Sequence, residues 1–204
     1  MREMCYHGKR MRELAPGKKA FLMEKTKGGL KARDMAYIAV MVALMAICSW
    51  ISIPAVVEFT MQTFAVFAAL NLLGGKRALI AVGVYLMMGA IGLPVFAGFN
   101  GGLSALLGPT GGYLVGFAAM ALVYWLITAL AGQGRWVRVG ALVAALAVCY
   151  AFGTAWFVIV YTQQSGAVGV MTALGWCVFP FIIPDLVKMA LAFVLTERVA
   201  KLIR

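Results

Sequence analysis

From residue 35 onward the chain is a succession of long apolar runs parted by short interruptions that hold most of its Pro, Gly and charge. Six runs stand out, at 35–53, 59–74, 77–93, 110–131, 137–161 and 181–200. Apolar runs of roughly 16 to 25 residues suit α-helices crossing a hydrocarbon core ~30 Å thick, whereas a transmembrane barrel needs polar/apolar alternation in strands of about ten. The pattern therefore predicts an all-α integral membrane protein, a bundle of six transmembrane helices. No internal repeat is visible, which argues against a transporter folded from two duplicated halves.

Residues 1–33 break this pattern. They are polar and basic with Pro and Gly interruptions, and predict a mobile cytoplasmic tail ahead of a membrane domain over 34–204. Two start sites are open, Met1 and Met23, since "MEKTKGGLKARDM" would make a compact beginning. A cleaved signal peptide fits less well, because its apolar region spans about 7 to 15 residues before a small-residue site. The run from Met35 to Ile53 is longer and ends at Pro54.

Charge orders the runs. The 204-residue chain carries a net +11, but ten of its eighteen Lys and Arg lie within the first 33 residues and the others, Lys188 apart, flank apolar segments. Lys76 and Arg77 fall between runs two and three, Arg135 and Arg138 between four and five, and Arg198, Lys201 and Arg204 at the end. The connections 54–58, 94–109 and 162–180 contain neither Lys nor Arg. By the positive-inside rule this alternation predicts both termini in the cytoplasm. The basicity is thus a topology signal, and nucleic acid is not an expected partner. Tyr37, Trp50, Trp125, Trp136, Trp156 and Tyr161 lie near run ends, where amphipathic rings suit the lipid boundary.

Composition agrees, with 64% hydrophobic and 12% charged residues and a mean hydropathy of +0.95. Several chemistries drop out. Cys5, Cys48, Cys149 and Cys177 have no metal-ligand spacing. His7, the only histidine, lies in the basic tail, so a membrane-embedded Ser-His dyad or His-ligated metal has nothing to work with. Around Gly75-Lys76, a phosphate-binding loop would need Gly and Ser or Thr where Leu70 and Arg77 stand. The chain is expected to be neither an enzyme nor itself an ATPase, and to hold no metal or cofactor.

Ionisable residues away from the basic ends are few: Glu58, Asp185 and Lys188. A charge at mid-membrane depth costs roughly 2.5–3.5 kcal/mol on insertion scales, so such residues usually face the bundle interior. "FPFIIPDLVKMALAF" spaces Asp185 and Lys188 three apart, on one helix face, with Pro184 suited to a first turn. Two readings stay open for the pair: a local ion pair reaching for the outer interface, and a recognition site for a polar small molecule from outside.

On the same side lies 91–117, "IGLPVFAGFNGGLSALLGPTGGYLVGF", with eight glycines, two prolines and no charge. Non-helical backbone at membrane depth is tolerated where it is buried in protein or lines a cavity, so the 94–109 loop is a candidate cap over a pocket. Asn100 is either a ligand contact or a turn residue. Thr60 and Gln62, in "EFTMQTF", suit either helix–helix hydrogen bonds or a binding site. Ala39 and Ala43, four apart in "AYIAVMVALMA", allow another helix to approach closely.

The stretch "YLMMGAIGLPVFAGFNGGLSALLGPTGGYLVGF", together with "FTMQTF" and "PDLVKMALA", resembles the BioY proteins, the biotin-specific S components of energy-coupling factor (ECF) transporters. The similarity runs from about Met35 to Arg204 and leaves out the basic tail. It implies a six-helix S-component fold in the cell membrane, an outward pocket for biotin, a transmembrane scaffold subunit and two cytoplasmic ATPases as partners. By position, Asp185 and Lys188 correspond to the family's ligand-contacting acid and base, Asn100 to a polar contact from the capping loop, and Ala39 and Ala43 to the scaffold-docking surface. Biotin suits such a pair: Asp185 would accept from the ureido N–H groups while Lys188 donates to the ureido oxygen. The reverse pose, with Lys188 holding the tail carboxylate, stays open. So does a stand-alone carrier or an S component for a different vitamin.

Overall fold

A computed structural model describes residues 31–54, 57–166 and 168–203. The expected tail therefore lies outside the described residues, apart from its last three positions. The first helix already begins within them: α1 covers Ala32–Trp50, and Asp34 near its start accepts from the Lys31 backbone N–H at 3.4 Å. Such an acid in the first turn satisfies a donor that has no partner within the helix.

Six helices overlap the six apolar runs: α1, α2 (Gln62–Leu73), α3 (Gly75–Ala90), α5 (Gly111–Ala131), α6 (Arg135–Ser165) and α8 (Phe179–Ile203). Between them stand pieces that hydropathy does not show. Strands β1 (Ser52–Ile53) and β2 (Phe59–Thr60) pair antiparallel, Ser52 opposite Thr60. The 94–109 connection is not a plain loop but holds a 3-10 turn, Ala97–Phe99, and the short helix α4, Leu103–Leu107. Likewise 162–180 holds α7, Val170–Cys177, which turns Ala173 and Cys177 inward beside Phe157 and Val57. Periodicity alone cannot assign helices this short, because burial against neighbours decides them.

Among the described residues, four stretches are long and apolar enough to cross a membrane: Ala32–Trp50, Gly111–Ala131, Arg135–Gln164 and Val170–Lys201. Helices α2 and α3, at 12 and 16 residues, are shorter. At ~1.5 Å per residue neither spans ~30 Å by helix alone. Large apolar side chains such as Leu126, Leu130, Ile159, Val187 and Leu191 are exposed along the outside of the bundle. A surface of that kind belongs in lipid, and the chain is a multi-pass membrane protein.

The inside is packed by small residues. A Cβ on Gly112 would come within 2.2 Å of Trp156, and one on Gly116 within 3.0 Å of Cys149. From the facing helix, a Cβ on Gly153 would meet Tyr113 at 2.3 Å. The glycines four apart on α5 and their counterpart on α6 let two long helices press together without a hydrophobic drive between them. Two of the eight glycines in the 91–117 stretch, Gly112 and Gly116, are thus helix-packing glycines. Helix α8 starts two residues earlier than expected, so Pro180 takes the first turn and Pro184 lies inside the helix. There it leaves the carbonyl four residues back without its helical donor.

Away from the 94–109 segment, polar contacts tie α2, α6 and α8 together, and a further ion pair joins α1 to α3. Arg138 of α6 donates to Asn71 Oδ1 of α2 at 2.9 Å and pairs with Glu197 of α8, while Asn71 donates to Thr196. Asp34 of α1 pairs with Arg77 of α3 at 3.3 Å.

Candidate functional site

The acid and amine of α8 point inward. Asp185 and Lys188 are 2% and 5% exposed, with Lys188 Nζ at 2.9 Å from Asp185 Oδ1. The lysine also donates to the Thr60 carbonyl at 2.7 Å and to Thr63 Oγ1 at 3.2 Å, and lies 4.0 Å from the centre of the Phe59 ring. Thr63 in turn donates to Asp185 Oδ1 at 2.8 Å, and Tyr150 of α6 donates to Asp185 Oδ2 at 2.7 Å. A buried ion pair is tolerable only when its remaining donors and acceptors are met. Here the three N–H groups of the ammonium all have partners, whereas a carboxylate has about four acceptor positions and Asp185 has three occupied. The arrangement leaves acceptor capacity on Asp185 and no spare donor on Lys188.

Beside this cluster lies a cavity of about 540 Å³, lined by α2, α5, α6, α8 and the 96–110 segment. That is the scale of a small-molecule pocket. Its polar lining includes Thr60, Thr63, Tyr150, Asp185 and Lys188, joined by Glu58 and Asn100 from the loops and Ser104 of α4, with Leu114, Phe117, Leu146, Phe157 and Phe181 as apolar wall.

The loop over the cavity is pinned. Val95 and Phe96 are buried, and the Val95 carbonyl accepts from Ser49 at 2.6 Å and from Tyr85 at 2.8 Å. Trp50 Nε1 donates to the Pro94 carbonyl at 2.8 Å, and its ring stacks on Phe99 at 5.1 Å. Phe99 and Gly98 have φ of +59 and +63. A bulky residue held in the left-handed region stores strain of the order of 1–3 kcal/mol and tends to mark functional loops.

Each expected site residue can now be located. Asn100 lines the cavity while its amide donates to the Ala97 carbonyl at 3.0 Å, so it serves as a turn residue and still faces the pocket. Gln62 is buried and donates to Tyr85 of α3 at 2.7 Å, a helix–helix hydrogen bond, and it also borders the cavity. Thr60 contributes its backbone carbonyl to Lys188, and its hydroxyl accepts from the Gln62 N–H at 3.3 Å. Ala39 and Ala43 are exposed on α1 beside Val40 and Ile47, away from the cavity lining. Thr63 and Tyr150 are absent from the sequence reading. Both left a trace: Thr63 sits inside "FTMQTF", and Tyr150 lies mid-run, too deep for the interfacial belt, where a phenol must find a partner. Tyr150→Phe, which leaves Asp185 Oδ2 without this donor, is expected to lower stability by about 1.5–3 kcal/mol, read as thermal unfolding in detergent without ligand.

A family model described as the BioY family matches residues 23–204. The chain belongs to the BioY family. Among BioY relatives, the probable biotin transporter BioY of Pyrococcus horikoshii is 37% identical over 171 residues, covering 83% of this chain and 97% of that protein. The biotin transporter BioY of Thermotoga maritima gives the same figures, 37% identity over 83% and 97% of the two chains. The crystal structure of the S-component for biotin from an ECF-type ABC transporter is similar to this fold, with a TM-score of 0.73 at 26% identity over 85% of this chain and 95% of that one. The BioY relatives named here are transporters, not enzymes.

Proposed function

We propose that this BioY chain is the biotin-binding membrane component of an ECF-type uptake system. The observation that carries the reading is the buried Asp185–Lys188 pair, braced by Thr63 and Tyr150 against a cavity of small-molecule size. Support comes from the names of its relatives and from the biotin S-component whose fold it shares.

In this reading the ureido ring enters beside α8, and an N–H of the ring donates to Asp185, which keeps a free acceptor position. Lys188, with its three donors committed, braces the acid and does not grip the carboxylate tail. The apolar wall receives the thioether ring and tail, and Asn100 meets the ligand from the capping loop. Gln62 and Thr60 act behind these contacts, through Tyr85 and through the carbonyl that holds Lys188.

The chain crosses the cell membrane six times with both termini in the cytoplasm, α2 and α3 completing their crossings through the loops that join them. Energy comes from partners: a transmembrane scaffold subunit, received on the Ala39 and Ala43 face of α1, and two cytoplasmic ATPases that act through it.

Titration of the purified protein in detergent with biotin, biotin amide, riboflavin and thiamine tests this. Biotin is expected to bind tightly, the amide within a few-fold of it, and the other vitamins not at all. Tight binding of another vitamin without biotin would reject the ligand. A penalty of about a hundredfold or more for the amide, the scale of a lost charge-assisted bond at ~3 kcal/mol, would return Lys188 to the tail carboxylate.

A further inference from the structure

The cavity contains a second carboxylate to which the function above gives no task. Glu58, immediately before β2, lines the cavity, and its Oε2 is buried without a hydrogen-bond partner among the described residues. Among the described residues the ion pairs are Asp34–Arg77, Arg138–Glu197 and Asp185–Lys188, and none includes Glu58. Its other oxygen faces the loop: a Cβ on Gly98 would lie 3.6 Å from Glu58 Oε1 and 3.2 Å from Asn100 Nδ2. Glu58 and Asn100 therefore flank the same glycine at the cavity wall.

An unmet buried acceptor is costly, and more so when it belongs to a carboxylate. Folding alone does not repay that cost here, because among the described residues no donor is aimed at Oε2. An ionised carboxylate accepts only, so what satisfies it must bring an N–H or O–H. A ligand carboxylate brings neither and would meet like charge. Among the described residues the formal charges lining the cavity are Asp185, Lys188 and Glu58; the first two cancel, which leaves the Glu58 side attractive to donors and cations.

We propose that Glu58 is a second ligand contact and a selectivity residue of this pocket, accepting an N–H from the donor-bearing end of the ligand. Taken with the spare acceptor on Asp185, the pocket offers two acceptors. A cyclic urea carries two N–H donors, one on each side of its carbonyl. The two sets match in number and kind. The inference rests on the biotin reading and deepens it by assigning which end of the ligand lies between the acids. It also implies that a cationic analogue, in which a guanidinium replaces the urea, is favoured by Glu58 beyond the neutral parent ligand, since the cation adds Coulomb attraction to a bond whose acceptor is already ionised.

The test titrates biotin and 2-iminobiotin into the purified parent protein, Glu58→Gln and Glu58→Asp at neutral pH. Glu58→Gln keeps the shape and removes the charge. It is expected to weaken 2-iminobiotin about tenfold more than it weakens biotin, the ratio that ~1.4 kcal/mol of Coulomb attraction to the cation gives. Glu58→Asp is expected to keep most of the parent's preference. If Glu58→Gln leaves both affinities within twofold of the parent, or if Glu58→Asp loses the preference as fully as Glu58→Gln, the contact is overturned and Glu58 is a packing residue. A parent protein that binds no biotin overturns the function itself, whereas a parent that binds while the variants match it overturns only this contact.

Discussion

Lys188→Met is expected to destabilise the protein by about 3–5 kcal/mol, because it strands a carboxylate in the interior with its main counter-charge gone. The evidence for such a loss is local. Asp185 is 2% exposed, and Lys188 is its only cationic partner among the described residues. The same substitution frees the Thr60 carbonyl and removes a donor to Thr63, so the turn between β2 and α2 loosens along with α8. Biotin binding is expected to fall at least a hundredfold. The double variant Asp185→Asn/Lys188→Met separates structure from function, since replacing both members of a buried pair is often close to neutral for stability. Thermal unfolding in detergent is expected to recover most of the loss while biotin titration stays flat. A double variant that binds biotin like the parent would reduce the pair to a structural brace and remove the centre of the proposed site.

Far from the cavity lining, Gly75→Ala is expected to cost about 3 kcal/mol for a single added methyl group. Overpacking commonly costs 1–3 kcal/mol, and this position is worse than most because the obstacle is backbone. The new Cβ would lie 2.3 Å from both Cα and Cβ of Trp125 and 2.9 Å from its backbone nitrogen. No rotamer change relieves that clash, so α3 and α5 must move apart. Gly83→Ala in the same helix is the control. Nothing lies within 4 Å of its Cβ, and a helical Gly→Ala replacement is expected to be neutral or to stabilise by about 1 kcal/mol. Paired melting curves of the two variants check it, and equal melting temperatures would show that α3 and α5 do not approach as closely as described.

The central pair of the candidate site is legible in the sequence because it is local. Asp185 and Lys188 lie three apart on one helix, so the helical repeat alone makes them neighbours, and the cost of charge in a membrane says that they turn inward. Asn100 drew notice through the Asn-Gly pair, and the structure shows it both as a turn residue and at the cavity wall. Thr63 and Tyr150 are different. They reach Asp185 across 122 and 35 residues of sequence, and nothing in a helical pattern says which hydroxyl on α2 or α6 meets an acid on α8. Helix α7 was missed for a related reason: eight residues are too few to show a period, and its burial beside Phe157 and Val57 is supplied by other segments.

By itself the sequence determined a helical protein of the membrane, six apolar runs, and one acid–amine pair on the last of them, because hydrophobicity, charge cost and helical repeat are properties of neighbouring residues. Tertiary structure decided that α2, α6 and α8 converge on that pair, that Lys188 spends its donors inside the protein, and that Glu58 Oε2 is left at a cavity wall with no donor among the described residues. Those outcomes depend on which side chains from distant segments arrive within about 3 Å of one another, the reach of a hydrogen bond, and no local pattern encodes that distance.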